Sequence, residues 1–222
     1  MPRPRALLAW SSGKDSAWAL HRLRAEDEVE LAGLLSTVTR DYDRVSIHGV
    51  RAELLEAQAT AAGLPLVKVF IPAKCSHDAY AEAMRAACEE AKANGVTHVA
   101  FGDLFLEDVR AYREERMAEA GLAPLFPLWG LDTHALAHEM VASGLRAYVT
   151  CLNPEKVPRA LAGRAYDEDL LDALPEGVDP CAERGEFHTF AWDGPPFRRP
   201  VACRVGETVE RSGFVFTDLL PA

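Results

Sequence analysis

Residues 6–20 read ALLAWSSGKDSAWAL, and the fold prediction starts from this stretch. Its first five residues are all apolar, a run that is typical of a buried β-strand. From about residue 15 the apolar residues recur too densely for a loop and indicate a helix. Between these parts, SSGKDS is a small polar turn with one glycine, one lysine and one aspartate. We therefore predict a strand, a tight turn and a helix, with the turn as the first candidate binding site.

The alternation of strand and helix continues to about residue 130. The pattern predicts strands at 6–10, 31–38, 66–71 and 96–101, and helices at 15–25, 50–62 and 77–94. Alternation of this kind favours a parallel sheet that is covered by helices on both faces. We therefore predict an α/β protein with a doubly wound parallel sheet.

The character of the chain changes after PLFPLWG at 124–130. The pattern then predicts a helix over 133–143, a strand over 147–151, and loops rich in proline, glycine and acids. Valines and aromatic residues within 197–220 favour a terminal hairpin or meander. We predict two domains, a first over 1–130 and a second, smaller α+β domain over 131–222.

Composition limits the partners of the protein. The chain has 222 residues, 49% of them hydrophobic, but no apolar run near the roughly 20 residues that span a bilayer. Its net charge of −10 argues against nucleic acid as a partner, since binding phosphates requires clustered Lys and Arg. Five scattered cysteines without a CxxC pair argue against disulfides and zinc sites. We expect no membrane association and a cytoplasmic location, and a homodimer is a candidate assembly.

The turn has the residue types of a phosphate site. The small residues at 11–13 let backbone N–H groups approach an oxyanion, and the following helix presents its positive end to it. Lys14 adds a point charge, Asp15 suits Mg²⁺, and Ser11 or Ser16 donates further hydrogen bonds. The turn therefore predicts polyphosphate with magnesium. The alternative is a plain strand-to-helix turn that is capped by serine and aspartate.

The turn resembles the SGGxDS pyrophosphate-binding loop of the PP-loop, or N-type, ATP pyrophosphatases, with Ser12 in place of the first glycine. This resemblance implies a HUP-like fold, ATP and Mg²⁺, with cleavage of ATP between its α and β phosphates. If Ser12 adopts a positive φ, the replacement costs about 1 kcal/mol. The residues that the resemblance assigns to ATP are Ser11, Ser12, Gly13, Lys14, Asp15 and Ser16, with Asp15 as the metal ligand.

Within that group, almost the whole chain is similar to the diphthine-ammonia ligase family. The similar stretches are RAELLEAQATAAGLPL at 51–66, GD at 102–103, PLW at 127–129, GLRA at 144–147 and LAGR at 161–164. The most diagnostic stretch, DPCAERGEFHT at 179–189, is similar to the family's CGENGE signature, with Ala182 for glycine and Arg184 for asparagine. The resemblance implies an ATP-dependent ligase that adenylates a carboxylate and then transfers ammonia to form an amide.

Further site residues follow from these motifs. A carboxylate of Glu183 or Glu186 would accept a proton from ammonium, and His188 would act as a base or as a donor to the oxyanion. The alternative is a solvated turn that leads into an aromatic strand. The full set of predicted catalytic residues is Lys14, Asp103, Glu183, Glu186 and His188, and His48 and Gly102 complete the nucleotide site.

Several residues have two interpretations of similar weight. His48 lies either near the nucleotide or on the surface before a helix, and Asp103 binds metal or substrate or caps the following turn. Arg110 and Arg113 neutralise the polyphosphate or form salt bridges with surrounding acids. Cys75 and Cys181 are candidate nucleophiles, although cysteine more often packs as a small hydrophobe.

Three functions stay open at this point. The first is the amide-forming ligase, with ATP, ammonia and a carboxylate acceptor, either diphthine of elongation factor or a small molecule. The second is an ATP-dependent tRNA-modifying enzyme of the PP-loop group, and the third is a nucleotide-binding sensor without catalysis. The acidic charge opposes the second, and the CAERGEFH stretch opposes the third. Ammonia is expected to arrive free or from a separate donor.

Overall fold

The computed structural model describes residues 3–222, so residues 1 and 2 of the predicted first domain lie outside the described part. The protein is an α/β structure with a six-stranded, mainly parallel sheet and a four-stranded antiparallel sheet. The predicted fold class is confirmed. The boundary at residue 130 stays a prediction.

The first sheet has five parallel strands and one short antiparallel strand. From one edge to the other, β4 pairs with β2, β2 with β1, β1 with β5, and β5 with β6, and β3 pairs with the end of β2. The chain order therefore reverses between β1 and β5, and ligands of open α/β sheets bind outside the strand ends at such a point. The strands are β1 (Arg5–Ala9), β2 (Glu30–Thr39), β3 (Arg44–Val45), β4 (Leu66–Ile71), β5 (His98–Ala100) and β6 (Ala123–Leu125).

Four of the six helices within residues 3–222 were predicted from the sequence, whereas those at Glu107–Ala120 and Glu168–Ala173 were missed. Ser76 and Asp132 each accept a hydrogen bond from a backbone N–H of the first turn that they cap, and Gly63 ends a helix with φ +67°. The predicted helix starts and ends agree with the structure within two residues. The helices are α1 (Lys14–Glu26), α2 (Ala52–Ala62), α3 (His77–Ala93), α4 (Glu107–Ala120), α5 (Thr133–Ala142) and α6 (Glu168–Ala173).

Both faces of the first sheet are buried. Alternating side chains of the strands point to opposite faces, so Leu7 and Val99 pack on the side of α3 and α4, while Leu8 and Ala100 join a second cluster. This second cluster includes Leu20 of α1 and continues into the antiparallel sheet. One core therefore connects the two sheets.

The second sheet has the strand order β8-β7-β10-β9. Its last two strands form the hairpin that the sequence predicted near the C-terminus. Within residues 3–222, the helices are too short or too polar to cross a bilayer. The strands are β7 (Arg146–Leu152), β8 (Phe187–Asp193), β9 (Cys203–Arg211) and β10 (Phe214–Pro221).

The edge strand β8 is bound directly to the turn after β1. The N–H of Ala191 donates to the carbonyl of Ser12 at 2.9 Å. Gln58, which is fully buried, donates from Nε2 to the carbonyl oxygens of both residues and accepts from Trp10 Nε1. Breaking this network would leave buried polar groups unpaired, so it fixes the second sheet against the loop.

A second link between the sheets depends on the charge of Asp218. Its carboxylate in β10 lies 2.8 Å from Arg44 and 2.7 Å from Arg51. Burial raises the pKa of Asp218, but the two arginines outweigh it and lower the pKa to about 2. Because the folded pKa is depressed, this stabilisation is fully present above about pH 4 and is lost as the pH falls through about 2.

Asp218→Asn is therefore expected to lower the free energy of unfolding at neutral pH by about 1–2 kcal/mol, since the pair is partly exposed. Urea unfolding of both proteins checks this. The difference between variant and parent should shrink towards pH 2. A loss of equal size at both pH values would mean that packing, and not the ion pairs, carries the effect.

Candidate functional site

A cavity of about 360 Å³ lies at the carboxyl ends of β1 and β5. Its walls come from the turn after β1, the segment after β3, the segment after β5, and residues 181–189 of the second part of the chain. This is the reversal point of the strand order, where ligand binding is expected. The predicted site residues that line it are Ser11, Lys14, Asp15, Ser16, His48, Gly102, Asp103, Glu183 and His188.

The turn after β1 is held by its own side chains and by β8. Ser12 has φ +70°, so the residue that replaces glycine in the loop motif does adopt the left-handed conformation. Ser16 Oγ donates to the carbonyl of Gly13 at 3.0 Å, and Lys14 N–H donates to Oγ1 of Thr189 at 3.0 Å. The first turn of α1 thus presents its positive end to the cavity in a fixed geometry.

Lys14 is buried at the centre of the site. Its side chain is 2% exposed, and Nζ donates to Asp15 Oδ2 at 2.9 Å and to the carbonyl of Cys181. The ammonium also lies 5.5 Å from the ring centroids of Tyr166 and Phe187. Burial lowers the pKa of Lys14, but the Asp15 carboxylate outweighs it and the pKa is raised. Lys14 therefore stays positively charged at neutral pH.

Asp15 keeps one oxygen without a partner. Oδ2 accepts from Lys14, whereas Oδ1 is buried and has no hydrogen bond. Burial raises the pKa of Asp15, and the Lys14 ammonium opposes this rise. A buried acceptor without a donor is costly, and a cation or donor supplied by a ligand would satisfy it.

A tight turn from the second part of the chain brings Glu183 into the cavity. Asp179 accepts from the N–H groups of Cys181 and Glu183 at 3.2 and 2.8 Å, and Ala182 has φ +57°. Oε1 of Glu183 in turn accepts from the N–H of Leu104 at 2.8 Å. The turn therefore bridges the antiparallel part and the segment after β5.

Glu183 is a weak acid in this position. Burial raises its pKa to about 7, the carboxylates of Asp15 and Asp103 add to the rise, and the hydrogen bond from Leu104 opposes it. A carboxyl group with a pKa near the working pH is suited to move protons.

His48 and His188 form a pair across the cavity wall. Their ring centroids are 4.5 Å apart, and Nδ1 of His48 lies 3.4 Å from the carbonyl of Thr189. Burial lowers the pKa of His188 to about 4 and that of His48 well below its usual value. Both rings are therefore neutral at neutral pH and are available as hydrogen-bonding groups.

Gly102 packs against the turn at residues 11–16, called the phosphate turn below. A β-carbon there would lie 3.2 Å from backbone atoms of Asp15 and Ser16, closer than ordinary contact. Gly102→Ala is therefore expected to displace the start of α1 and to weaken ATP binding about tenfold, which equals 1.4 kcal/mol. Calorimetric titration with ATP checks this, and the melting temperature should change little. Unchanged ATP affinity would show that the turn has room to move.

Other predicted residues do not line the cavity. Glu186 is 3% exposed, its Oε2 has no hydrogen-bond partner, and its carbonyl accepts from Asn153. Ser12 and Gly13 shape the turn through their backbones. Arg110 pairs with Glu114 on the outer face of α4, which fits the salt-bridge interpretation.

The two candidate cysteines lack the environment of a nucleophile. Cys181 lines the cavity but is 1% exposed, and burial raises the pKa of its thiol far above the usual value. Its Sγ donates to the carbonyl of Thr133 at 3.4 Å. Cys75 does not line the cavity. The packing interpretation is therefore favoured for Cys181, whereas Cys75 is half-buried and lies outside both core clusters.

Sequence reasoning missed several residues that support the site. Tyr166 donates to the carbonyl of Pro180 and stacks beside Lys14, while Thr189, Gln58 and Asp179 hold the two turns. Asp179 and Thr189 lie in the diagnostic stretch at 179–189, and an aspartate two residues before a turn commonly accepts its N–H groups. The contacts of Thr189, Gln58 and Tyr166 span 46 to 175 residues of sequence, apart from the hydrogen bond of Tyr166.

Known proteins match this chain along most of its length. The family model described as the diphthamide synthase N-terminal domain matches residues 4–124, and the C-terminal domain model matches residues 132–215. A diphthine–ammonia ligase of Danio rerio is 30% identical, with 94% of this chain aligned to 90% of that protein. The ligases of that name from Rattus norvegicus and Homo sapiens are 27% and 26% identical, each with 94% of this chain aligned to 86% of theirs.

Proposed function

The chain belongs to the diphthamide synthase family, and from that premise we propose that it forms an amide on diphthine with ATP and ammonia. The enzyme is an ATP-dependent carbon–nitrogen ligase. The observation that carries this proposal is the single cavity in which the phosphate turn and Glu183 meet. A nucleotide site alone would not need a proton-accepting carboxyl group at the same position.

The positive end of α1 and Lys14 form the phosphate side of the proposed site. Backbone N–H groups at a helix start bind phosphate oxygens, and the buried ammonium adds a charge that water does not screen. Ser11 and Ser16 supply hydroxyl groups at the same wall of the cavity. We assign the triphosphate of ATP to this wall.

We propose Mg²⁺ as the cation that accompanies ATP. Asp15 supports this, because its buried Oδ1 lacks a partner and one carboxylate plus phosphate oxygens and waters suits this ion. Residues 3–222 contain no group of three or more His, Cys, Asp or Glu that could hold a metal, so other ligands would come from the nucleotide and water. When bound, the ion neutralises phosphate charge.

The first step activates the carboxylate of the acceptor. One of its oxygens attacks the α-phosphorus of ATP, the bond from that phosphorus to the bridging oxygen breaks, and pyrophosphate leaves with the electron pair. The product is an acyl-adenylate. Lys14 and the helix start stabilise the negative charge that builds on the phosphates, so the protein acts mainly by positioning and electrostatics.

The second step forms the amide. The lone pair of ammonia attacks the acyl carbon, the bond from this carbon to the AMP oxygen breaks, and AMP leaves. The nitrogen loses a proton, and we assign its acceptor as Glu183, whose pKa of about 7 suits the transfer. His188 and His48 are neutral donors at the same wall, suited to the oxyanion that forms transiently. A catalytic role for Glu186 stays a prediction, because this residue does not line the cavity.

The remaining assignments are predictions. We propose that the diphthine is carried by an elongation factor and that the ammonia is free or comes from a separate donor. A homodimer, a cytoplasmic location and the division into domains at residue 130 likewise stay predictions. The position of β6 before residue 130, and of the antiparallel sheet after it, supports that division.

The test follows nitrogen into the product. The protein is incubated with ATP, Mg²⁺, ¹⁵N-ammonium and an elongation factor that carries diphthine. The expected result is ¹⁵N in an amide at the modified residue, detected by mass spectrometry of its peptide. Reactions without ATP, and with bulk tRNA as the acceptor, serve as controls. Labelled tRNA with an unlabelled elongation factor would contradict the proposal.

A further inference from the structure

Arg113 of α4 lies at the cavity wall, where its ion pair with Asp103 is long. Its guanidinium carbon lies 4.8 Å from the ring centroid of Phe101, and Nε lies 3.5 Å from Asp103 Oδ2. Arg113 Nε and Asp103 Oδ2 are both buried, and neither atom has a hydrogen bond. The ring holds the guanidinium in place, while the ion pair leaves donor capacity unused.

No group has yet been assigned to bind the carboxylate of the acceptor. The cavity lining carries the carboxylates of Asp15, Asp103 and Glu183, which would repel an acceptor that is itself a carboxylate. Lys14 is the cation of the phosphate side, and it is already bound to Asp15 and to a carbonyl. Arg113 is the other lysine or arginine in this lining, and it comes from a different element.

Arg113 also lies where a groove meets the cavity. The groove, of about 320 Å³, runs between α3 and α4. It shares Tyr80, Met84, Phe101, Arg113 and Met117 with the cavity lining. A side chain that enters along the groove therefore passes Arg113, which belongs to the lining of both the groove and the cavity.

We propose that Arg113 binds the carboxylate of the acceptor and holds it towards the nucleotide, and that the acceptor side chain arrives through the groove between α3 and α4. A guanidinium presents a planar fork of donors that matches both oxygens of a carboxylate. On binding, this fork exchanges its loose contact with Asp103 for the acceptor. This inference rests on the proposed function, since it requires an acceptor that is activated at a carboxylate.

The test separates binding of the acceptor from binding of ATP. Isotope exchange between pyrophosphate and ATP, without ammonium, is measured against the concentration of elongation factor that carries diphthine. Arg113→Met is expected to raise the KM for this acceptor by about 10- to 100-fold, the loss of a charged hydrogen-bond pair. The ATP dissociation constant, measured separately by calorimetry, should stay within about twofold. Arg113→Lys should lie between parent and methionine variant, because it keeps the charge but loses the fork.

Arg110→Met is the matched control. Arg110 lies on the same helix, stacks on Phe126 and Trp129, and pairs with Glu114, but it does not line the cavity. Its variant should leave both constants unchanged and should reveal any general effect of removing an arginine from α4. A melting temperature for each variant verifies folding.

A raised acceptor KM with unchanged ATP binding supports the inference. ATP binding that weakens as much as acceptor binding would assign Arg113 to the phosphates and overturn it, as would a normal acceptor KM in the methionine variant. A parent protein that shows no exchange with this acceptor would overturn the proposed function, and the inference would fall with it.

Discussion

Lys14→Met is expected to slow acceptor-dependent adenylation by about 100- to 1,000-fold, the usual loss when one preorganised charge is removed from a reacting centre. The side chain is 2% exposed and donates to Asp15 and the carbonyl of Cys181, so solvent cannot replace it. The rate is measured as isotope exchange between pyrophosphate and ATP at saturating acceptor.

The same variant should also lose stability, and a second variant separates the two effects. Lys14→Met leaves the partly buried Asp15 carboxylate without its partner, which costs at most the about 3–5 kcal/mol of a fully buried pair. The double variant Lys14→Met, Asp15→Asn removes both charges and should recover much of this stability. It should not recover exchange. Recovery of both would mean that neither Lys14 nor Asp15, the proposed ligand of Mg²⁺, is needed for adenylation.

Glu183→Gln is expected to abolish ammonia transfer while adenylation continues. The amide side chain can still accept from Leu104 N–H through its oxygen, but it cannot take a proton from the attacking nitrogen. Amide formation should fall by about 100- to 10,000-fold, the range for a general base. Exchange between pyrophosphate and ATP should remain near the parent rate.

The pH dependence gives an independent check on Glu183. Its folded pKa is about 7, so at a fixed concentration of free ammonia the base form, and with it amide formation, should increase as the pH rises through about 7 in the parent protein. The Glu183→Gln variant should lack this step. Hydroxylamine, a stronger nucleophile than ammonia, should restore product in the variant. If the variant lost both isotope exchange and amide formation, Glu183 would act in adenylation instead.

Stability should move in the opposite direction. Because the folded pKa of Glu183 is raised, stability falls as the pH rises from about 4.5, where this group ionises in the unfolded chain, to about 7, where it ionises in the folded protein. Above that pH, Glu183→Gln should unfold at a temperature at least as high as the parent. This result would exclude unfolding as the cause of lost activity.

The sequence predicted the parts of the fold that depend on local patterns. The strands around residues 31–38 and 66–71 and the helix that Ser76 caps follow from apolar periodicity and capping, and all three are present. The two-residue strand β3 was missed, because it is too short to carry a period. The strand predicted at 96–101 covers only His98–Ala100, because the residues on either side bond outside the regular ladder.

In the site, too, the features that depend on local sequence were predicted and those that depend on distant residues were not. The phosphate turn at 11–16 was predicted because its chemistry and its position after a strand are both local. The raised pKa of Glu183 could not be predicted, since burial and two carboxylates from distant parts of the chain cause it. Nor could the sequence separate Glu183 from Glu186, because the turn around Ala182 decides which carboxylate reaches the cavity.

Adenylation of diphthine is tested by ³¹P NMR of the protein with ATP, Mg²⁺, ammonium and an elongation factor that carries diphthine. AMP and pyrophosphate are expected in equal amounts, formed only when this acceptor is present. ADP and phosphate, or ATP that stays intact although it binds, would contradict an adenylating ligase.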